Sequence, residues 1–257
     1  MSNEMKEKMS LVILQADQEE AEFHRARFEE LGMRVLGICG DGTRGVDFIN
    51  EHQPDAVLMD GFLPGRNCDE ILEALMASGY RRNTVFAVIS QVPNDRLARN
   101  VMDAGADLFL LPPMDYAFMR DRIIALGERK KEALRAEEKD YELERYVANL
   151  MHDMGVPAHI RGYDYIRDSI MLALEDRHLL KAITKELYPT IAKNNATTSS
   201  RVERAIRHAI EVAWGRGDID TLNSIFGFTV KSSKGKPTNG EFISMITERI
   251  RLDLKIA

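Results

Sequence analysis

Three side chains that could bind a metal ion or a phosphoryl group lie at the ends of short apolar runs in the first half of the chain. Asp17 comes just after the first run, Asp60 ends the third and Ser90 ends the fourth. If these runs are strands of one parallel sheet, the three side chains converge on a single surface pocket. A carboxylate there can hold a divalent cation, or attack an activated phosphoryl group while the metal neutralises the developing charge.

The apolar runs themselves predict the sheet that would position this pocket. Each run is short and apolar on both faces, which is typical of parallel strands covered by helices on both sides. The segments between the runs have helical periodicity, so residues 9–128 are predicted to form a doubly wound α/β domain with a five-stranded parallel sheet. The runs cover residues 11–14, 35–39, 56–59, 85–89 and 108–111.

A helix–turn–helix is predicted between residues 179 and 214. Apolar residues at helical spacing form a first helix, and the polar turn Asn194–Ser199 separates it from a second helix over about 201–214. Either Thr198 or Ser200 could cap the second helix. The spacing from Ser200 to Glu203 also fits a capping box.

The second helix of this pair carries a stripe of basic side chains. Arg201, Arg204, Arg207 and His208 recur three or four residues apart and therefore share one face. A helix of this kind presents side chains to the DNA major groove, where Arg can read guanine and Glu203 could accept from cytosine. The spacing also fits an ordinary solvated helix face, so by itself it leaves both interpretations open.

Charge is distributed unevenly along the 257 residues. Residues 1–128 contain 13 Lys and Arg against 22 Asp and Glu, whereas residues 146–257 contain 16 against 13. An acidic half joined to a mildly basic half fits a regulatory domain attached to a domain that binds a polyanion. Residues 146–257 show only helical periodicity, which predicts an all-helical effector domain.

The segment 129–145 is rich in Lys, Arg, Glu and Ala and contains no Gly or Pro. It is predicted to be a charged, solvated helical linker that continues from the last helix of the first domain. A short coiled coil is the alternative, although two heptads give little specificity.

The composition excludes several other classes of protein. No apolar run is long enough to span a membrane, and Met1–Lys8 lacks the apolar stretch of a signal peptide, so a cytoplasmic protein with no membrane partner is expected. Cys39 and Cys68 form no CxxC pair, which argues against a zinc site or a disulfide framework. The sequence has no Ser/His/Asp arrangement, phosphate loop or HExxH pattern, so an enzyme is not expected.

The first half of the chain resembles the receiver domains of response regulators. The resemblance rests on Met59-Asp60-Gly61-Phe62-Leu63-Pro64 and on Ala104-Gly105-Ala106-Asp107 before the fifth run. It implies that Asp60 is the phosphoacceptor and that Ser90 is the switch hydroxyl. It also implies that Asp17 and Asp60 are ligands of a divalent cation, Mg²⁺ or Ca²⁺.

The same half departs from the receiver pattern at the pocket. Ala16 stands where receivers carry an acid, which weakens the cation site, and Pro112 stands where they carry a Lys. The Gly usual in the loop after the phosphoacceptor is replaced near Cys68. Two interpretations therefore stay open: a receiver phosphorylated at Asp60, or an atypical receiver that uses its fold for dimerisation or protein binding.

The second half resembles the effector domain of the master sporulation response regulators of endospore-forming bacteria. The matching runs are Gly155–Tyr163, Ser200–Trp214 and Lys236–Ile243. The resemblance implies that the segment 217–226 faces RNA polymerase. It also implies a DNA-binding set, in which Arg201, Glu203 and Arg204 approach base edges, Ser199, Ser200, Arg207 and His208 lie in or beside the groove, and Lys234 and Lys236 contact phosphates.

The sequence thus predicts a sequence-specific transcription regulator that binds double-stranded DNA as a homodimer and controls entry into sporulation or a related stationary-phase programme. RNA polymerase and a phosphorelay protein are its expected partners, and the receiver is expected to control dimerisation. The alternative is a non-catalytic protein that titrates the phosphorelay, or a full-length regulator, by forming heterodimers. The basic stripe favours the first hypothesis, because a titrating protein has no need of Arg201 and Arg204.

Overall fold

The chain forms two compact units, and their division falls inside the predicted linker. A computed structural model describes residues 8–80, 83–217, 222, 226 and 236–255. The first unit is Met1–Glu137 and the second is Glu138–Ala257.

The first unit contains a five-stranded parallel sheet with the strand order β2-β1-β3-β4-β5. This order is that of the flavodoxin-like doubly wound folds, which bind ligands at the carboxyl ends of the strands where the order reverses. In the register of β3 and β4, Asp60 lies beside Ile89. The strands are β1 Ser10–Leu14, β2 Arg34–Cys39, β3 Ala56–Asp60, β4 Val85–Ile89 and β5 Leu108–Leu110.

Helices cover both faces of this sheet, as the apolar runs predict. Val57 and Phe86 are buried in the core on one face, and Leu58 and Ile123 are buried in the core on the other. The predicted receiver-type fold is therefore confirmed. The helices are α1 Gln18–Glu30, α2 Gly45–His52, α3 Cys68–Ala77, α4 Asp95–Asp103 and α5 Tyr116–Asp153.

Helix α5 includes the whole segment that the sequence predicts as a solvated linker. The first residues of that segment are bound to the first unit. The ammonium of Lys130 donates to Asp107 at 2.6 Å, and that of Lys131 donates to Asp55 at 2.9 Å. Contrary to the prediction from the sequence, the start of the segment is therefore not fully solvated. The long Lys side chains of α5 reach carboxylates next to the sheet.

The second unit is helical throughout its described residues, in agreement with the sequence. Phe242, Ile206, Ile166 and Ile170 are fully buried in its core. No helix among the described residues of either unit is long and apolar enough to cross a membrane. The elements are α6 Arg161–Glu175, a 3₁₀ turn Arg177–Lys181, a π-helical turn Ile183–Leu187, α7 Tyr188–Asn194, α8 Ser199–Arg216 and α9 Asn239–Leu254.

Both cysteines are free thiols buried in the first unit. Burial raises the pKa of the Cys68 thiol to about 12, and that thiol donates to the carbonyl of Gly61 at 3.2 Å. A thiol that stays protonated is a poor nucleophile and a poor metal ligand. Cys68 therefore acts as a small packing residue at the start of α3.

Candidate functional site

Helix α8 is the second helix of the predicted helix–turn–helix, and it starts earlier than the sequence suggests. Thr198 caps it by accepting a hydrogen bond from the backbone N–H of Arg201. The alternative cap at Ser200 is wrong, because Ser200 lies within the first turn of α8. The capping box is also wrong, because the carboxylate of Glu203 pairs with Arg207 at 3.3 Å instead.

The basic stripe of α8 lies on the surface, opposite the core. Arg201, Arg204, Arg207 and His208 are exposed, and they line one shallow groove together with Glu211. Ser199 and Glu203 are half-buried, and Ser200 is exposed. The residues that pack the other face into the core are Val202, Ile206, Ala209, Ile210 and Ala213.

Two arginines of the stripe differ from the third in their ion pairing. Among the described residues, Arg201 and Arg204 form no ion pair, whereas Arg207 is held by Glu203. An unpaired guanidinium keeps five N–H donors in a fixed fork, which suits bidentate contacts with guanine or with phosphate. These two side chains are therefore the ones most ready to contact a polyanion.

Lys236 is placed beside α8, where its charge is already paired. Its ammonium donates to the carboxylate of Glu211 at 2.6 Å, and this contact holds the pKa of Glu211 below its usual value. Both side chains are about half exposed, so water and salt screen the pair. Lys234 lies outside the described residues, as does most of the segment 217–226.

The position of α8 is fixed by a buried amide that the sequence does not single out. The side-chain amide of Asn239, in the first turn of α9, donates to the carbonyl of Glu203 at 3.0 Å. It also donates to the hydroxyl of Tyr188 at 3.2 Å. A buried amide must satisfy its donors, so this contact sets where the first half of α8 lies. Asn239 belongs to the run 236–243, but nothing in its spacing reveals these partners.

The three predicted pocket residues lie at the carboxyl ends of adjacent strands in the first unit. Asp17 caps α1 by accepting from the N–H of Glu20 at 2.9 Å. Asp60 ends β3 and accepts from the N–H of Phe62 at 3.1 Å. Ser90 is buried after β4, and its hydroxyl donates to the carbonyl of Val92 at 2.9 Å.

A further carboxylate belongs to this pocket and is missed from the sequence. The pKa of Glu20 is raised, first by burial and then by the negative charges of Asp60 and Asp17. The side-chain amide of Gln91 donates to the same carboxylate. The available signal is the spacing from Asp17 to Glu20, since a carboxylate three residues after a cap lies in the first helical turn.

No lysine or arginine pairs with Asp60 among the described residues, in keeping with Pro112. The basic group near the pocket is His24, whose Nδ1 is 2.7 Å from the hydroxyl of Tyr116 and whose Nε2 is 3.8 Å from Glu20. Burial lowers the pKa of His24, although the charge of Asp60 acts in the opposite direction. The pocket is therefore acidic, with a largely neutral imidazole at its edge.

The pocket fits a tightly held divalent cation poorly. Asp17 and Asp60 offer oxygens of the right kind, but each also accepts a backbone hydrogen bond, and Ala16 supplies no ligand. Within the described part of the chain, no three His, Cys, Asp or Glu side chains are arranged to hold a metal ion. The residues present therefore do not form a complete Mg²⁺ site of the usual oxygen-rich type.

Comparisons with known proteins bear on the two units separately. Residues 147–250 match the family model described as sporulation initiation factor Spo0A C terminal. Among solved structures, the receiver domain of a putative NarL response regulator from Mycobacterium tuberculosis is 21% identical, with a TM-score of 0.44, and the match covers 47% of this chain and 97% of that one. The receiver domain of the Pseudomonas aeruginosa sensor histidine kinase PA1611, which has a magnesium ion in its active site cleft, is 19% identical, with a TM-score of 0.43. This match covers 47% of this chain and 98% of that one.

The receiver fold of the first unit rests on its own strand order and flanking helices. The second unit carries the family match, which agrees with the expectation of a regulator and not an enzyme. The chain is thus similar to the sporulation initiation factors over residues 147–250, and it combines this helical unit with a doubly wound α/β unit.

Proposed function

We propose that this chain is a sequence-specific, DNA-binding transcription regulator that controls entry into sporulation or a related stationary-phase programme. The observation that carries the proposal is that Arg201 and Arg204 on α8 are exposed and form no ion pair with any residue that the structure describes. A tight turn precedes this helix and Thr198 caps it. This is the arrangement by which a recognition helix enters a major groove.

We propose a role for each of these side chains from its position relative to the DNA groove. Arg201, Glu203 and Arg204 read base edges, and Lys236 contacts phosphate once it leaves Glu211. Ser199, Ser200, Arg207 and His208 lie in or beside the groove. The protein binds duplex DNA as a homodimer in the cytoplasm and acts on RNA polymerase.

The proposed domains are a receiver at 9–128, a linker at 129–145 and an effector at 146–257. We propose that the receiver controls dimerisation mainly through its fold, since no lysine or arginine in the described part of the chain pairs with Asp60 as a cationic partner for a phosphoryl group. A divalent cation at Asp17 and Asp60 is held weakly, and a phosphorelay protein is a secondary partner.

The proposed function is tested by in vitro selection. The full chain is used to enrich a library of random duplexes, and its affinity for the enriched duplex is compared with that for unselected duplex at 0.15 M salt. We expect a preference of at least about 10³-fold, the lower end for specific DNA binding. If no duplex is enriched, the titrating protein is the better description.

The receiver proposal gives a prediction about Asp60. Incubation of the full chain with acetyl phosphate and Mg²⁺ is expected to give no stoichiometric mass increase by intact-protein mass spectrometry. The reason is that Pro112 stands where receivers carry a lysine, and Ala16 stands where they carry a second acid next to Asp17. Neither group is therefore present to stabilise an acyl phosphate. Stoichiometric labelling of the wild type that Asp60→Asn abolishes would establish the phosphorylated receiver instead.

The pair between Lys236 and Glu211 gives a second prediction. Glu211→Gln is expected to tighten binding to any duplex, because it frees Lys236 and removes a negative charge beside the groove. One additional phosphate contact should raise the affinity by about eightfold at 0.1 M salt and steepen the salt dependence by about 0.9. The measurement is a fluorescence-anisotropy titration across several salt concentrations.

The matched control for this variant is Glu175→Gln, which removes the same charge from an exposed position at the end of α6. It should change the salt dependence much less. Equal effects from Glu175→Gln and Glu211→Gln would mean that net charge, and not the release of Lys236, explains the gain.

A further inference from the structure

A cleft beside the recognition helix has no role in the function described so far. It has a volume of about 390 Å³ and lies within the second unit. We propose that this cleft binds one backbone phosphate of the DNA, next to the bases that α8 reads. This inference rests on the proposed DNA-binding function and adds a binding site to it. The cleft is lined by Arg161, Tyr165, Asn195, Ala196, Thr197, Arg201 and Ala205.

The cleft adjoins the basic stripe because α6 and α8 approach each other very closely. A Cβ atom placed on Gly162 would lie 2.1 Å from the carbonyl oxygen of Ala205. The start of α6 is therefore in direct contact with α8, one residue after Arg204. Arg201 and Ala205 line both this cleft and the groove of the stripe. A ligand in the cleft would consequently lie beside a DNA strand bound along the stripe.

The start of α6 favours an anion. Its N-cap residue is Ile160, and no side chain caps the helix. The N–H of Tyr163 donates to the carbonyl of Ile160 at 2.9 Å, which leaves the N–H groups of Arg161 and Gly162 for a ligand. The helix dipole adds a partial positive charge at this end. Phosphate groups bind readily at helix N-termini for these two reasons.

The charged side chains of the cleft have the same sign. Among the described residues, neither Arg161 nor Arg201 forms an ion pair. Two carboxylates lie near the cleft. Asp164 is in the first turn of α6, and Asp168 accepts a hydrogen bond from Asn195 at 3.2 Å and pairs with Arg167 at 3.5 Å. The guanidinium of Arg161 is therefore available to contact a phosphate, whose oxygens match its fork geometry, and Arg201 adds positive charge beside the cleft.

Tyr165 supplies an independent reason to expect a ligand. Its side chain is only 4% exposed and lines the cleft. Its hydroxyl has no hydrogen-bond partner among the described residues. The hydroxyl oxygen itself is accessible from the cleft, so it can donate a hydrogen bond to an acceptor that enters there.

The donors identify the class of ligand. Guanidinium groups, a tyrosine hydroxyl, the half-buried Thr197 and the N–H groups of a helix start all donate hydrogen bonds. A base edge presents both donors and acceptors, whereas a phosphate presents only acceptors and carries a negative charge. A backbone phosphate therefore suits this cleft better than a base does. Such a contact fixes the position of α8 on the duplex without reading sequence.

The test compares two variants of the full chain on the enriched duplex and on unselected duplex. Arg161→Gln removes one charge from the cleft, so it should weaken binding to both duplexes by about eightfold at 0.1 M salt and reduce the salt dependence by about 0.9. Tyr165→Phe removes only a hydroxyl, so it should weaken binding by about threefold without changing the salt dependence. Arg216→Gln is the matched control, since Arg216 is exposed on the last turn of α8 and does not line the cleft, and it should leave both quantities nearly unchanged.

A modified duplex locates the contact. Methylphosphonate is placed at one phosphate at a time along the enriched duplex. At one position it should weaken wild-type binding but have little further effect on Arg161→Gln.

If both variants keep wild-type affinity and salt dependence while the wild type still prefers the enriched duplex, the cleft is not a phosphate site. If the wild type enriches no duplex, the proposed function itself fails. Arg161 is exposed, so Arg161→Gln stays informative even if Tyr165→Phe unfolds.

Discussion

Arg204→Ala should lower the affinity for the enriched duplex by about 10- to 100-fold, the range for loss of one bidentate base contact. Binding to unselected duplex should change by less than about tenfold, which is the loss of one ionic contact at 0.1 M salt. The ratio of the two affinities, and not either affinity alone, is the expected signature. It is measured by anisotropy titration with both duplexes in the same buffer.

The physical reason lies in where α8 places this side chain. Arg204 is exposed, has no acidic partner among the described residues and stands one turn after Arg201. No ion pair has to break before it contacts DNA, unlike Arg207 and Lys236. A guanidinium that reads guanine loses both of its parallel hydrogen bonds on truncation, whereas one that contacts phosphate loses affinity for every sequence equally.

The matched control is Arg216→Ala, because Arg216 is exposed on the last turn of the same helix and carries the same charge. It should leave the ratio of affinities unchanged. An equal loss on enriched and unselected duplex for Arg204→Ala would assign this residue to phosphate and leave the reading of bases to Arg201 and Glu203.

Periodicity is the reason that much of the fold can be predicted from the sequence. Strands buried on both faces give continuous apolar runs, so the runs match all five strands to within about one residue at each end. The buried face of α8 repeats every three or four residues, which also fixes the opposite, basic face. The start of α8 was harder to place, because both Thr198 and Ser200 are good capping residues and only the backbone conformation selects between them.

Contacts between distant segments could not be predicted in the same way. Asn239 reaches the carbonyl of Glu203 across 36 residues, and Lys236 reaches Glu211 across 25. Arg161 and Arg201 line the same cleft because α6 packs closely against α8 at Gly162. Local spacing carries no information on such pairs. Glu20 was accessible in principle, since it lies three residues after Asp17 and both are on the same turn.

Gly162→Ala should destabilise the second unit by about 3 kcal/mol, the upper part of the usual range for overpacking. The added methyl group would lie 2.1 Å from the carbonyl oxygen of Ala205 and 2.7 Å from the Cβ of Ala209. Neither atom belongs to a flexible side chain, so α6 and α8 would have to move apart. Alanine gains up to about 1 kcal/mol over glycine in helix propensity, which is too little to offset this. Because α6 also forms one wall of the cleft, DNA binding should weaken as well.

Gly215→Ala is the matched control for this prediction, because no described residue lies within 4 Å of a Cβ at that exposed position on α8. It should be neutral or stabilising by up to about 1 kcal/mol through helix propensity alone. Urea unfolding can be followed by the fluorescence of Trp214, the one tryptophan of the chain, whose ring packs edge-on against Phe226 and Phe242. If Gly162→Ala unfolds at the same urea concentration as Gly215→Ala, the close approach of α6 to α8 is wrong, and with it the placement of the cleft beside the recognition helix.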